Sequence, residues 1–173
     1  MVQDKAFYRT QWLIRRYASE QDFEAGQATP VVGADGVELP AESVIDGNLL
    51  LNEGIAELWD LVIGAGTPTS FANANAYIGV GDSSTAAAAS QTGLQASTNK
   101  AYVGMEPGYP SRSAQTVTWR AVFGTSTGNF AWQEFTVANG NSDAADNLNR
   151  VVSNQGTKAS GQTWTVDVSI TLS

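Results

Sequence analysis

The chain is expected to be mainly β: an antiparallel β-sandwich with one α-helix (about 49–63) and an N-terminal strand and arm. Three observations carry that expectation. Apolar residues alternate at period two in several short stretches. The cleanest is Trp164, Val166, Val168, Ile170 and Leu172, with Thr163, Thr165, Asp167, Ser169 and Thr171 between them. Such stretches recur at a spacing of roughly 10–15 residues, divided by Gly, Asn and Ser turns, as strands of a sandwich do. One stretch alone repeats its apolar residues at helical spacing.

Taken in order, residues 6–18 (AFYRTQWLIRRYA) place Trp12 and Ile14 on one side at period two and predict a strand. Residues 19–47 predict an acidic loop with Pro30 and Pro40 and a turn at Asp35-Gly36, interrupted by a short strand at 31–32 or 37–39. The run NLLLNEGIAELWDLVIGAG then brings Leu51, Ile55, Leu58 and Val62 onto one helical face. Asn48 is the expected N-cap, and Glu53 lies in the early turns, where the dipole favours an anion. Gly64 and Gly66 stop the helix, and Pro68 follows. Gly54 inside it costs about 1 kcal/mol relative to Ala.

Period two returns after the helix. Strands are expected at 77–81, 100–105 and 115–124, the last with Val117, Trp119, Ala121 and Phe123 on one face. In 130–137 (FAWQEFTV) the apolar phase slips near Gln133, which a β-bulge explains. Short and long strands follow at 148–153 and 162–173, while Ala-rich 86–97 is low in complexity. The expected organisation is an N-terminal strand and acidic arm over 1–47 and a single globular helix-plus-sandwich unit over 48–173.

Composition narrows the chemistry. The 173 residues include no Cys and no His, which removes disulfides, thiolate and imidazole metal sites, and every histidine-based triad or general base. Net charge is −8, with only Arg15-Arg16 as a local basic cluster, so no nucleic-acid partner is expected. The acidity is uneven: residues 1–60 carry net −7 and residues 61–173 net −1. No run of eighteen apolar residues occurs, so no membrane span is expected. Nor does MVQDKAFYRTQWLIRR have the basic-then-apolar order of a signal peptide, so a soluble protein not exported by that route is expected.

The glycine-rich stretch ANAYIGVGDSST (74–85) imitates a phosphate loop or a nucleophile turn. A P-loop needs Lys after its last Gly, where Asp82 stands, and a dinucleotide fingerprint needs a Gly where Ser84 stands. The better reading is a strand that Gly79 and Gly81 let kink or be approached closely, ending in a turn capped by Asp82 and Ser83. In the loop 139–149, Asn139, Asn141, Asp143, Asp146 and Asn147 are oxygen ligands that calcium accepts, yet the spacing fits no EF-hand and suits turns better. Glu134, read as a half-buried strand acid, is a candidate glycosidase carboxylate with Asp167, or a cross-strand partner of Arg120 or Arg150. Trp12, Trp119, Trp132 and Trp164 fit a sugar platform less well than a core. No catalytic, cofactor-binding or metal-ligating residue is therefore expected.

The ordered series NLLLNEGIAELWDLVIGAG, FANANAYIGVGDSSTAA, SQTGLQ, TVTWRAVFG, NFAWQEFTVANG and LNRVVSNQGTKASGQTWTVDVSITLS resembles a family of small structural proteins encoded by tailed bacteriophages. The blocks that carry it are a YI-x-x-G strand, a T-x-L segment, an aromatic-acidic strand, an LNR strand and a terminal K-x-S-G-x-T-x-T-V hairpin. The resemblance covers 48–173 well and the first 47 residues weakly. It implies a virion protein at the particle surface, assembled in the host cytoplasm, with no enzymatic activity and no cofactor. Implied partners are other virion proteins (major capsid protein or tail proteins) and further copies of itself. Capsid decoration or cement on the assembled shell is the leading expectation. A tail or tail-fibre protein touching a receptor is the alternative, and a carbohydrate-binding or glycan-hydrolysing module the remote one.

Overall fold

The computed structural model describes residues 7–173, so the first six residues of the expected arm lie outside it. The fold is mainly β and antiparallel throughout, with two helices. The elements are β1 (Tyr8–Tyr17), α1 (Glu20–Glu24), β2 (Val31–Val32), β3 (Glu38–Leu39), β4 (Glu42–Asp46), β5 (Leu49–Leu50), α2 (Asn52–Ile63), β6 (Tyr77–Gly81), β7 (Lys100–Gly104), β8 (Ser111–Ser113), β9 (Thr116–Phe123), β10 (Glu134–Ala138), β11 (Asn149–Val152) and β12 (Thr163–Leu172). One five-stranded sheet has the order β4-β1-β12-β9-β8, and the other β5-β11-β10-β6-β7.

The N-terminal strand is not an appendage. β1 lies between β4 and β12, with Trp12 opposite both Val168 and Ile45. A division at residue 47 therefore cuts through a sheet, and the sandwich over 48–173 lacks two of that sheet's five strands. Local propensity cannot announce this, because the pairing of Tyr8 with Leu172 spans nearly the whole chain. The segment 19–47 is also more ordered than a loop. Ser19 caps α1 by accepting from the Asp22 N–H, and both short strands form, as the β2–β3 hairpin. The Asp35-Gly36 turn closes that hairpin, with Gly36 at φ +80° and the Asp35 carboxylate accepting from the Val37 N–H.

The two sheets meet over an aromatic core. Trp132 packs edge-on to Phe123 and Trp164 of the first sheet and to Phe135 of the second, at centroid distances of 4.8, 4.8 and 6.0 Å. Each such pair adds about 0.5–1.5 kcal/mol beyond area burial. The indole nitrogens of Trp119, Trp132 and Trp164 find acceptors in Phe71 O, Gly128 O and Gln162 Oε1. The phase slip at 133 is real. The Gln133 N–H donates to Gly81 O while Glu134 is the register partner of Gly81, so two residues oppose one and both Trp132 and Phe135 face the core.

Burial along β12 is not a simple alternation. Leu172 shares the side of Trp164 but is exposed, because it lies past the end of the core. Thr163, Thr165 and Asp167, on the opposite face of β12, are buried as well: Thr163 donates to Glu20 Oε2, and Asp167 accepts from Arg120.

Candidate functional site

Helix α2 lies on the sandwich with most of its apolar face turned away from the core. Its buried residues are Gly54 and Glu57, with Leu61 partly buried against the core. Of the four residues predicted to share one helical face only Leu51 is buried. Ile55 and Leu58 are 37% and 38% exposed, and Trp59, Val62 and Ile63 are 62%, 73% and 71% exposed. These five residues fall at i, i+3, i+4, i+7 and i+8, one continuous outward stripe.

Polar and backbone contacts hold the helix this way. A Cβ on Gly54 would stand 2.4 Å from Leu148 Cα, so only glycine lets the helix lie this close to the strand lead-in before β11. The Glu57 carboxylate accepts from the Thr69 N–H and from Asn139 Nδ2, and Glu53 accepts from the Asn147 N–H at 2.8 Å. Burial raises the Glu53 carboxyl above its ordinary pKa. The N-cap is Leu51, without a side-chain bond, and not Asn48, whose amide is buried without a partner among the described residues. The first turn is anchored instead by the Leu51 N–H on Leu148 O and the Asn52 N–H on Ala89 O. Gly64 terminates α2 in the left-handed conformation, as its position predicted.

Beside the outward stripe the sandwich opens into a cleft of about 430 Å³. Leu58 and Leu61 form one wall, with Leu50, Phe71, Val117 and the exposed Leu172 around it. No charged residue lines it among the described residues. Leu58 belongs to both stripe and cleft, which makes them one apolar surface. Monomeric proteins rarely leave such a surface uncovered unless something binds there.

The other sequence candidates fold into structural roles. Gly79 and Gly81 are approached closely: a Cβ there would meet the Tyr102 ring at 2.6 Å and Glu134 Oε1 at 2.5 Å. Ser83 Oγ accepts from the Thr85 N–H, and Asp82 accepts from Asn99 Nδ2, which is the capped turn. In the loop 139–149, Asn139 and Asp146 bond each other through backbone and side chain. Asp143 is taken by Lys100, Tyr102 and the Leu94 N–H, and Asn147 Oδ1 by Thr136. Among the described residues no three acids converge on one point.

Glu134 is fully buried rather than half-buried, and it pairs with Arg150, not Arg120. Asp167 lies in the other sheet, where Arg120 and Arg15 bind it at 2.5 and 3.0 Å. The two acids are thus not brought together. Arg15 and Arg16 part company as well. Arg15 faces outward to Glu42 and Asp167, while Arg16 turns inward over the Trp164 ring, with its pKa pulled down to about 10 by burial. Trp12, Trp119, Trp132 and Trp164 are core. Trp59, the tryptophan outside that set, is the exposed one. Its signal was present in the sequence as a Trp on the flank of an already complete apolar stripe.

No helix among the described residues is long and apolar enough to cross a membrane. Comparison of the chain with protein-family models, curated proteins and solved structures finds no match.

Proposed function

We propose that the chain is a structural subunit of a larger assembly, docking on other protein surface through the outward face of α2 and the adjoining cleft. The single observation that carries this reading is the exposed apolar face of α2. Burying a side chain such as Trp59, Val62 or Ile63 is worth about 1.5–3 kcal/mol, and the monomer forgoes it at all three positions. The resemblance to structural proteins of tailed bacteriophages supplies the kind of assembly. The reading is a virion protein, decorating or cementing the assembled capsid shell at the particle surface.

Mass spectrometry of purified particles from the source tests this. Hundreds of copies per particle support a shell protein, and absence from every particle fraction overturns the virion reading.

A tail or fibre subunit is the second reading. A polar groove of about 330 Å³ on the outer face of the first sheet favours it, with Arg15, Glu42 and Arg120 beside Tyr17 and Phe23. Charged groups beside aromatic rings are what a sugar takes up. A handful of copies confined to the tail, together with glycan-array binding by the isolated protein, would select this reading over decoration.

A further inference from the structure

Resting on the docking role just proposed, we propose that the occupant of the α2 face and its cleft is a second copy of this chain, paired about a two-fold axis. Shape is the first argument. A ridge (Trp59, Val62, Ile63) and a cleft lie side by side on one surface, joined at Leu58. An isologous pair requires that arrangement, because each copy must present both halves of the contact within one patch.

Charge is the second argument. Between Ile55 and Ile63 the helix carries two charged residues: Glu57, which is buried, and Asp60. The cleft carries none among the described residues. A face meant for a partner of opposite charge would display its acids, and this chain has them in quantity: residues 17–99 hold eleven acids and no base. They are nearly all kept off this surface. Charge-depleted, apolar and aromatic composition is that of a homodimer interface core.

Area is the third argument. The five stripe residues and Leu172 leave apolar surface on the order of 600 Å² uncovered, near the ~800 Å² that each partner gives to a standard interface. The stripe rises roughly 12 Å along α2. Two α2 helices lying antiparallel at about 8–10 Å would place each Trp59 against the cleft of the other copy.

Sedimentation velocity of the full chain at tens of micromolar should give a mass near twice the 18.2 kDa of one chain. Trp59→Asp and Val62→Asp alter exposed side chains, so both should keep the wild-type circular dichroism and lose the dimer. Because the chain lacks Cys, Val62→Cys introduces a single thiol. A short bis-maleimide should join that variant into covalent dimers and leave Val32→Cys, exposed on the β2–β3 hairpin, unjoined. A wild-type monomer, or a dimer that both aspartate variants retain, overturns the assignment. The docking role is read separately, from attachment to the source's particles. A wild-type monomer that attaches only with Trp59 intact overturns the second copy and leaves the docking role standing. A Trp59-dependent dimer that attaches to no particle supports the second copy and overturns the virion role.

Discussion

Arg150 and Glu134 form an ion pair with neither side chain exposed, Nη2 lying 2.7 Å from Oε2. The pair ties an irregular segment to the second sheet. Glu134 accepts from the Gln95 and Ala96 N–H groups at 2.9 and 2.7 Å, and Arg150 donates to Gln91 Oε1 and Thr85 O, both at 2.9 Å. The Ala-rich stretch between β6 and β7 has little apolar surface of its own to bury. It is held by hydrogen bonds to two buried charges, which in turn need those bonds to be tolerable inside the protein. Gly81 is part of the same device, since any Cβ there would displace the Glu134 carboxylate.

Arg150→Met should therefore cost about 3–5 kcal/mol, because it leaves the Glu134 carboxylate buried without its cation. Replacing both partners by apolar residues should cost less than the two single losses combined. Urea denaturation of the two single variants and the double variant measures this. A loss below about 1 kcal/mol for Arg150→Met would contradict a charge that depends on its partner.

Gly54→Ala should destabilise, against the gain of up to about 1 kcal/mol that helix propensity alone predicts. The added methyl meets the Leu148 backbone at 2.4–2.5 Å, and backbone cannot swing aside as a side chain can. The expected loss is about 1–3 kcal/mol, the range for overpacking. Thermal melts of the variant decide between the two signs.

The tryptophans should divide by exposure. Trp164→Ala should cost about 3–5 kcal/mol as a core truncation. Trp59→Ala, at an exposed position, should change the stability of the isolated chain by no more than about 0.5 kcal/mol. Denaturation is read at a concentration low enough to keep the chain monomeric. Equal losses for the two would mean that α2 buries its apolar face after all.

Lys158 is fully buried, and its amine donates to Gly124 O and Asn129 Oδ1 with no carboxylate partner among the described residues. Desolvation pulls its pKa down from 10.5 to about 8. The sign follows from which state holds the proton. Between about pH 8 and 10.5 the unfolded chain keeps a proton that the folded chain has released, so stability from this group rises with pH across that window. Below it the burial cost is present in full. Relative to Lys158→Met, the wild type should gain stability when urea midpoints are compared at the two ends of the window. A relative loss would mean that the ammonium is stabilised in place.

Much of the fold was legible because strands with one buried face record that face at period two. The residues Trp12, Ile14, Trp119, Ala121, Phe123, Trp164, Val166 and Val168 are all buried as their alternation predicted. Helix position was legible for a similar reason, through its period and the Gly64 stop. Partner choice was harder to read. Glu134 had two arginines within reach of a sheet argument, and membership of the two sheets selects between them, since Arg120 lies in the first sheet opposite Asp167 while Arg150 shares the second sheet with Glu134. Arg15 and Arg16 are chemically identical neighbours, and only the facing of β1 makes one an outer ion-pair residue and the other a core residue.

Local periodicity thus settled which segments are strands, where the long helix lies and which strand faces are apolar, because those properties depend on residues a few positions apart. Contacts between distant segments settled the rest: that β1 lies inside a sheet beside β12, and that α2 turns its apolar stripe outward. An amphipathic helix states that one face is apolar and leaves open what will cover it. Here Gly54 against Leu148, and Glu57 on Thr69 and Asn139, hold the opposite face to the sandwich, and the stripe around Trp59 is left exposed.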